Sequence, residues 1–248
     1  VVVGDVNPDQ VFVLARKYYG HIEPRTVLQL DERKPQIEPK QLGIKRLIVK
    51  APAQLPYLAM GYHAPALRKP DTDWEPYALE MLAGVLDGNE SARLNKSLVR
   101  EQRIASSAGA GYDSTARGPG MFYLDGTPSE GKTAADLEAA LREEVKKLVR
   151  DGVTEEELAR VKAQVVASHV FQLDSMSFQA MQIGQLESIG LSYRDEQTIL
   201  KKLQTVTAEQ VRDVAKKYLN DDSLTVAVLD PQPLEQKAPA APPTGLRH

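Results

Sequence analysis

Apolar residues recur along this chain with two different periods, and the places where the period changes outline its elements. Residues 1–6, Val1-Val2-Val3-Gly4-Asp5-Val6, read as a strand. Asn7, Pro8 and Gln10 then give a helix start: a cap, a first-turn proline and a capping-box position. Val11, Leu14, Ala15 and Tyr18 share one face of that helix, and Gly20 ends it. Residues 21–43 are polar, carry Pro24, Pro35 and Pro39, and show no period, so they predict a linker. Strands follow at 45–50 and 55–62, expected to pair with each other. Asp71, Thr72 and Asp73 cap a helix whose buried face is Trp74, Tyr77, Ala78, Met81, Leu82 and Val85. After a Gly88-Asn89 break, a short helix runs through Leu94 and Leu98. Residues 104–114 are extended but small (Ala105, Ser106, Ala108, Gly109, Ala110, Gly111), a composition that lets another backbone approach closely. Arg117-Gly118-Pro119-Gly120 turns the chain into a strand at 121–124.

A helical block comes next. Leu137, Leu141, Val145 and Leu148 line one face, and Thr154 with Glu157 forms a capping box ahead of Leu158, Val161 and Val165. Further helices are predicted over 174–189 and 192–203. Thr207 and Gln210 cap a last helix that buries Val211, Val214, Ala215 and Tyr218, and a strand at 224–229 closes the domain. Strands in groups followed by helices in groups predict an α+β fold: a largely antiparallel sheet with helices packed on one face. The predicted organisation is a strand and helix at 1–20, a linker at 21–43, one domain over 44–230, and a Pro/Ala-rich tail at 231–248.

Composition narrows the function classes. The chain has 248 residues, 42% hydrophobic and 26% charged, enough for one large core. A formal charge of −3 gives no basic surplus of the kind that nucleic-acid binders carry. With no cysteine, disulfides, thiolate zinc sites and iron–sulfur clusters are excluded together. No apolar run approaches the roughly 20 residues of a membrane span. A strand beginning at Val1 without an initiator methionine leads us to expect a fragment of a longer protein.

The usual catalytic spacings are missing. The four histidines are His21, His63, His169 and His248, and none stands in the paired arrangement that aims two imidazoles at one zinc from a helix face. His169 follows Val165 on an apolar helix side and reads as a core or interface histidine. No serine lies in a nucleophile elbow. Gly109-Ala110-Gly111 and Gly118-Pro119-Gly120 lack the Lys-Ser/Thr ending of a phosphate loop. Arg142, Lys146, Lys147 and Arg150 alternate with Glu138, Glu143 and Glu144 and read as a solvated helix face.

Residues 86–127 carry a more specific pattern. Asp87-Gly88-Asn89, Ser91-Ala92-Arg93-Leu94, Val99-Arg100-Glu101, the small-residue strand, and Gly118-Pro119-Gly120-Met121-Phe122 occur in that order. The order resembles the C-terminal lobe of pitrilysin-family (inverzincin) zinc metallopeptidases, in the bacterial branch close to mitochondrial processing peptidases. The opening Val-Val-Val-Gly-Asp-Val-Asn-Pro is similar to the last strand and helix of that family's zinc-binding lobe. The resemblance covers about residues 1–20 and 44–230.

The resemblance implies a zinc-dependent peptidase parent whose two lobes enclose a chamber. Its zinc and the base that activates water belong to the preceding lobe, so no metal ligand and no catalytic residue is expected in this chain. It also implies a peptide substrate, contact with the parent's own N-terminal zinc-binding lobe, and a homo- or heterodimer with a family-related subunit. The family's C-terminal lobe usually offers an Arg and, seven residues later, a Tyr that hold substrate. Arg100 matches the Arg, but Ser107 stands where the Tyr is usual, and a serine lacks the reach of a phenol. A lobe without the Tyr resembles the zinc-bearing partner of a two-chain enzyme, with the other subunit supplying Arg and Tyr. Arg100 can equally be read as a structural ion pair with Glu101 or a sheet neighbour. Bacterial relatives are often exported, which favours the periplasm. A non-catalytic structural subunit resembling respiratory-complex core proteins, and a free-standing peptide-binding module, remain the rival readings. The sequence preceding Val1 separates the three: an intact His-x-x-Glu-His, a degenerate one, or a start codon.

Overall fold

Short-range signals set most helix starts. In the computed structural model, which describes residues 1–23 and 39–233, helix α1 (Pro8–Tyr19) begins at Asn7, whose side chain accepts from the amides of Asp9 and Gln10. Three capping boxes open α3 (Ala134–Asp151) at Thr133/Asp136, α4 (Glu155–Gln172) at Thr154/Glu157 and α7 (Ala208–Tyr218) at Thr207/Gln210. Each satisfies two otherwise orphaned amides. Helix α2 (Glu75–Asp87) departs from the sequence reading. Its cap residue Trp74 makes no side-chain cap bond and is 40% exposed. Asp73 instead accepts from the amides of Arg68 and Lys69, tying the loop before the helix rather than the helix itself. Helices α5 (Met176–Ile189) and α6 (Glu196–Thr205) complete the helical set.

Five strands form one sheet in the order β1-β5-β2-β4-β3. They are β1 (Lys45–Pro52), β2 (Tyr57–Ala64), β3 (Ala105–Tyr112), β4 (Gly120–Pro128) and β5 (Leu224–Gln232). β1 lies parallel to β5, while β5–β2, β2–β4 and β4–β3 are antiparallel. The expected pairing of the first two strands is therefore wrong: β5, from the other end of the chain, sits between them. The reason is burial. Leu224 and Val226 of β5 are fully covered, so that strand needs neighbours on both sides. β1 carries Lys45, Arg46 and Lys50 and is exposed nearly throughout, as suits an edge.

The core lies on one face of the sheet. Leu58, Met60 and Tyr62 of β2, with Phe122 and Leu124 of β4, meet Leu82 and Leu86 of α2, Leu137 and Leu141 of α3, and Val211 and Val214 of α7. The α+β architecture with helices on one face is thus the one the sequence predicts. Residues 1–6, read as a strand, are not one. Among the described residues no strand pairs with them to take their backbone hydrogen bonds, and Val1, Val2 and Val6 are exposed. Helix α1 has no buried residue. Residues 24–38 of the predicted linker and 234–248 of the predicted tail lie outside the described residues, and β5 extends to Gln232.

The charged face of α3 also differs from its sequence reading. Glu138 and Glu144 are buried. Glu138 accepts two bonds of 2.8 Å from Arg46 of β1 and one of 2.9 Å from Arg142. Arg46 holds its carboxyl below the ordinary value. Glu144 accepts from Ser97 and Lys147. Glu138 and Glu144 thus form a seam to β1 and to residue 97, while Glu143, Lys146 and Arg150 stay exposed as the sequence predicts.

A third carboxylate, Glu157, fixes the start of α4. Arg93 grips Glu157 with two bonds of 2.7 Å and also donates to the carbonyl of Gly152. The hydrogen bonds from Arg93 hold the Glu157 carboxyl down at about 2. A depressed carboxyl stabilises the fold above about pH 4.5 and loses that contribution as the pH falls toward 2. About a fifth of each side chain is open to solvent, so the contribution is on the order of 2 kcal/mol. Glu157→Gln is expected to flatten the acid limb of stability against pH, measured by urea midpoints between about pH 5 and 2. An unchanged slope would place the acid sensitivity elsewhere.

Candidate functional site

Arg100 and Ser107 flank the sharp turn into the edge strand β3. Residues Asn95–Glu101 form a π-helical segment anchored by buried Leu94 and Leu98. Its wide turn closes with the Gln102 amide donating to the carbonyl of Ser97 at 2.9 Å. Arg103 then takes a left-handed conformation, with φ of 52°, and the Ile104 amide donates to the Leu98 carbonyl at 2.9 Å. These bonds set where Arg100 leaves the backbone.

The Arg100 guanidinium is half exposed and donates to Glu90 at 2.9 Å. Its ion-pair partner is therefore neither Glu101 nor a sheet neighbour. Glu90 is almost fully exposed, at 87%, so the pair is weak and leaves the guanidinium free to change partners. Ser107 is exposed and stands opposite Thr127 of β4, on the sheet face that no described helix covers. A β-bulge lies between Ala105 and Ser107, which resets the register of this strand against β4. The carbonyl of Ser107 presses on Gly126: a Cβ there would lie 2.4 Å from it.

Tyr112 does not replace the missing phenol. It lies on the helix-covered face, stacks with Phe122 at a ring separation of 6.3 Å, and donates its hydroxyl to the carbonyl of Pro65. Burial pushes its ionisation well above the usual tyrosine range.

The open face itself is apolar. Leu47 and Val49 of β1, Tyr57 of β2, and Met121 and Tyr123 of β4 are all exposed there. Tyr123 lies across Gly111, where a Cβ would come within 2.1 Å of its hydroxyl. That contact gives the small residues of β3 a concrete purpose: the strand is thin so that a neighbouring aromatic can lie over it. Tyr57 donates to Asp125 on the same face, and burial followed by that bond pushes its phenol up to about 12. At the outer edge of β3, Asp87 accepts from the Ala110 amide at 3.2 Å, and burial raises its carboxyl. Arg68 pins the Gly118-Pro119-Gly120 turn by donating to the carbonyls of Ala116, Arg117 and Gly118.

His63 lies near the end of β2, His21 follows α1, and His169 on α4 stands 3.9 Å from Glu196. Among the described residues no group of three or more His, Asp or Glu side chains has the arrangement to hold a metal ion. A zinc ion does not fit the donors among the described residues. No described helix is long and apolar enough to cross a membrane. Sequence reasoning missed Glu80, a carboxylate set between buried Leu79 and Met81 on α2. That interruption of an apolar helix face was the available signal.

The Zinc protease PqqE of Helicobacter pylori (strain ATCC 700392 / 26695) is 28% identical over 240 residues, covering 93% of this chain and 51% of that protein. The chain thus spans about half the length of that relative. The crystal structure of a protease from Helicobacter pylori superimposes with a TM-score of 0.80 at 23% identity, over 92% of this chain and 54% of that one. The periplasmic protease PqqL from Escherichia coli gives a TM-score of 0.65 at 21% identity, over 92% of this chain and 25% of that one. The profile of the peptidase M16 inactive domain matches residues 1–165. A match over that span, more than half of the chain, places it in the peptidase M16 inactive-domain family.

Proposed function

We propose that this chain is the C-terminal, chamber-forming half of a zinc-dependent peptidase whose N-terminal half holds the metal and the catalytic base. The observation that carries it is the match to about half of a relative named a zinc protease, in a chain whose described donors do not fit a metal. Zinc in the other half would polarise the scissile carbonyl and supply the attacking water. This half would position and enclose the peptide. Its open apolar sheet face, with Tyr123, Tyr57 and Met121 exposed, is suited to an extended chain.

Arg100 is the residue we assign to substrate binding, holding a peptide carbonyl or carboxylate once it exchanges Glu90 for substrate. Ser107 leaves the neighbouring clamp position without a phenol, so a family-related subunit is proposed to supply Arg and Tyr across a dimer interface. Residues 1–20 are proposed to belong to the preceding zinc-binding lobe and 44–230 to the C-terminal lobe. Phe12, Val13, Leu14 and Tyr18 of α1 are exposed, as expected of a helix whose packing partner lies in that lobe. The periplasm is the proposed compartment, by likeness to the protease PqqL.

The full-length parent is expected to cleave an unfolded peptide, to lose that activity to a chelator, and to regain it with zinc. This chain alone is expected to bind zinc at well below one equivalent and to cleave nothing. A parent with no chelator-sensitive cleavage under any pairing would favour a structural subunit. Stoichiometric zinc on this chain would refute the division between the halves.

A further inference from the structure

A cleft of about 330 Å³ opens in the helical layer, between α2, the loop after β3, α4, α5 and α6. It involves neither Arg100 nor Ser107. Glu80 is set at its floor, and the Ser114 hydroxyl donates to one of its oxygens. Among the described residues no other donor reaches this carboxylate, and Glu80 lines the cleft. Glu196 also lines the cleft, with His169 at 3.9 Å. Gln172, Gln182 and Gln185 add amides, and Gln185 is committed to Thr115 at 2.5 Å. The remaining wall is aliphatic, including Val165, Ile199 and Leu203. Among the described residues no Lys or Arg lines the cavity.

We propose that this cleft binds an organic cation, a primary ammonium or guanidinium group on an aliphatic stem, with the charged head on Glu80 and the stem against Val165, Ile199 and Leu203. Two carboxylates lining one cavity, with no Lys or Arg beside them among the described residues, favour a positive guest, and the apolar wall favours one with a hydrocarbon body rather than a bare ion. The volume is at the lower end of small-molecule sites, which suits a lysine-sized guest. The proposal rests on the cleft and not on the peptidase reading.

Protonation of Glu80 would compete with the guest. Burial raises its carboxyl to about 7, with Asp113 adding to the rise and the Ser114 bond opposing it. The other titratable groups around it are Tyr77 on its own helix, Tyr112 on β3, His169 on α4 and Glu196 on α6. The carboxyl is mostly protonated at pH 6 and mostly ionised at pH 8, so affinity should rise about tenfold over that interval.

The test is a titration of the 248-residue chain, followed by NMR or calorimetry, with n-pentylamine, with its neutral counterpart n-pentanol, and with a short peptide carrying one lysine. Saturable binding of n-pentylamine is expected with a dissociation constant on the order of 1 mM, at least about tenfold tighter than n-pentanol. Glu80→Gln should abolish that preference. Ser168→Trp, at an exposed rim position of α4, should block entry without touching Glu80. Tighter binding of the amine than of the peptide identifies a free small molecule as the guest. The reverse identifies a side chain of another protein. Equal binding of amine and alcohol by the wild-type chain, or failure of both cations to bind, overturns the proposal.

Discussion

Assayed alone, the full-length parent is expected to cleave an unfolded peptide at least about 100-fold more slowly than when mixed with a family-related subunit carrying the Arg and Tyr clamp. A flexible peptide must be oriented before a metal-activated water can attack it, and positioning groups supply a large share of the barrier reduction. This chain offers Arg100, paired only weakly with an exposed Glu90, and a serine rather than a phenol at position 107. Ser107 is exposed on the open sheet face opposite Thr127, so a larger side chain there would project away from the core. Ser107→Tyr should therefore fold normally and raise the activity of the lone parent, on the order of 10-fold, by lowering KM more than it raises kcat. Full activity from the lone wild-type parent would return Arg100 and Ser107 to ordinary structural roles. A rise in kcat alone would show that the tyrosine acts on chemistry rather than on positioning.

Gly126→Ala is expected to lower the stability of the chain by about 3 kcal/mol. The new Cβ would lie 2.4 Å from the backbone oxygen of Ser107, 3.2 Å from the Cα of Ala108 and 3.2 Å from Leu137. Two of these three neighbours are backbone, which cannot rotate aside as a flexible side chain does. Relief requires moving β3 away from β4, at the bulge that positions Ser107. A shifted urea midpoint with an unchanged slope would confirm the effect on stability. A change below about 0.5 kcal/mol would show that the bulge relaxes freely and places no constraint on Ser107. Gly111→Ala makes a useful contrast, because its obstacle is the side chain of Tyr123, which lies on an open face and has room to swing.

The sequence alone carried the elements wherever their cause is local. The Thr154 and Thr207 capping boxes operate across three residues, and the apolar rows of α3 and α7 repeat within a turn. These features survive because they depend on near neighbours. Asp73 failed as a cap because the amides of Arg68 and Lys69 compete for the same carboxylate. Glu138 was read as a solvated charge because Arg46, its partner, lies on a strand far away in the sequence. The sequence offers Glu101 or a sheet neighbour as ion-pair partners for Arg100, whereas its partner Glu90 depends on how the π-helical segment folds back.

By itself, the sequence determined the α+β class, the positions of the helices, the absence of a metal-ligand pattern, and the order of motifs that marks the family. Each is a property of residue type and short spacing. Only the tertiary structure decided that β5 separates β1 from β2, with Lys45 opposite Thr225. It also decided that Tyr123 occupies the space over Gly111, and that Glu80 of α2 lines one cleft with His169 and Glu196. Those placements depend on burying Leu224, Val226 and their partners together. That gain is shared across distant segments, so no short stretch of sequence can specify it.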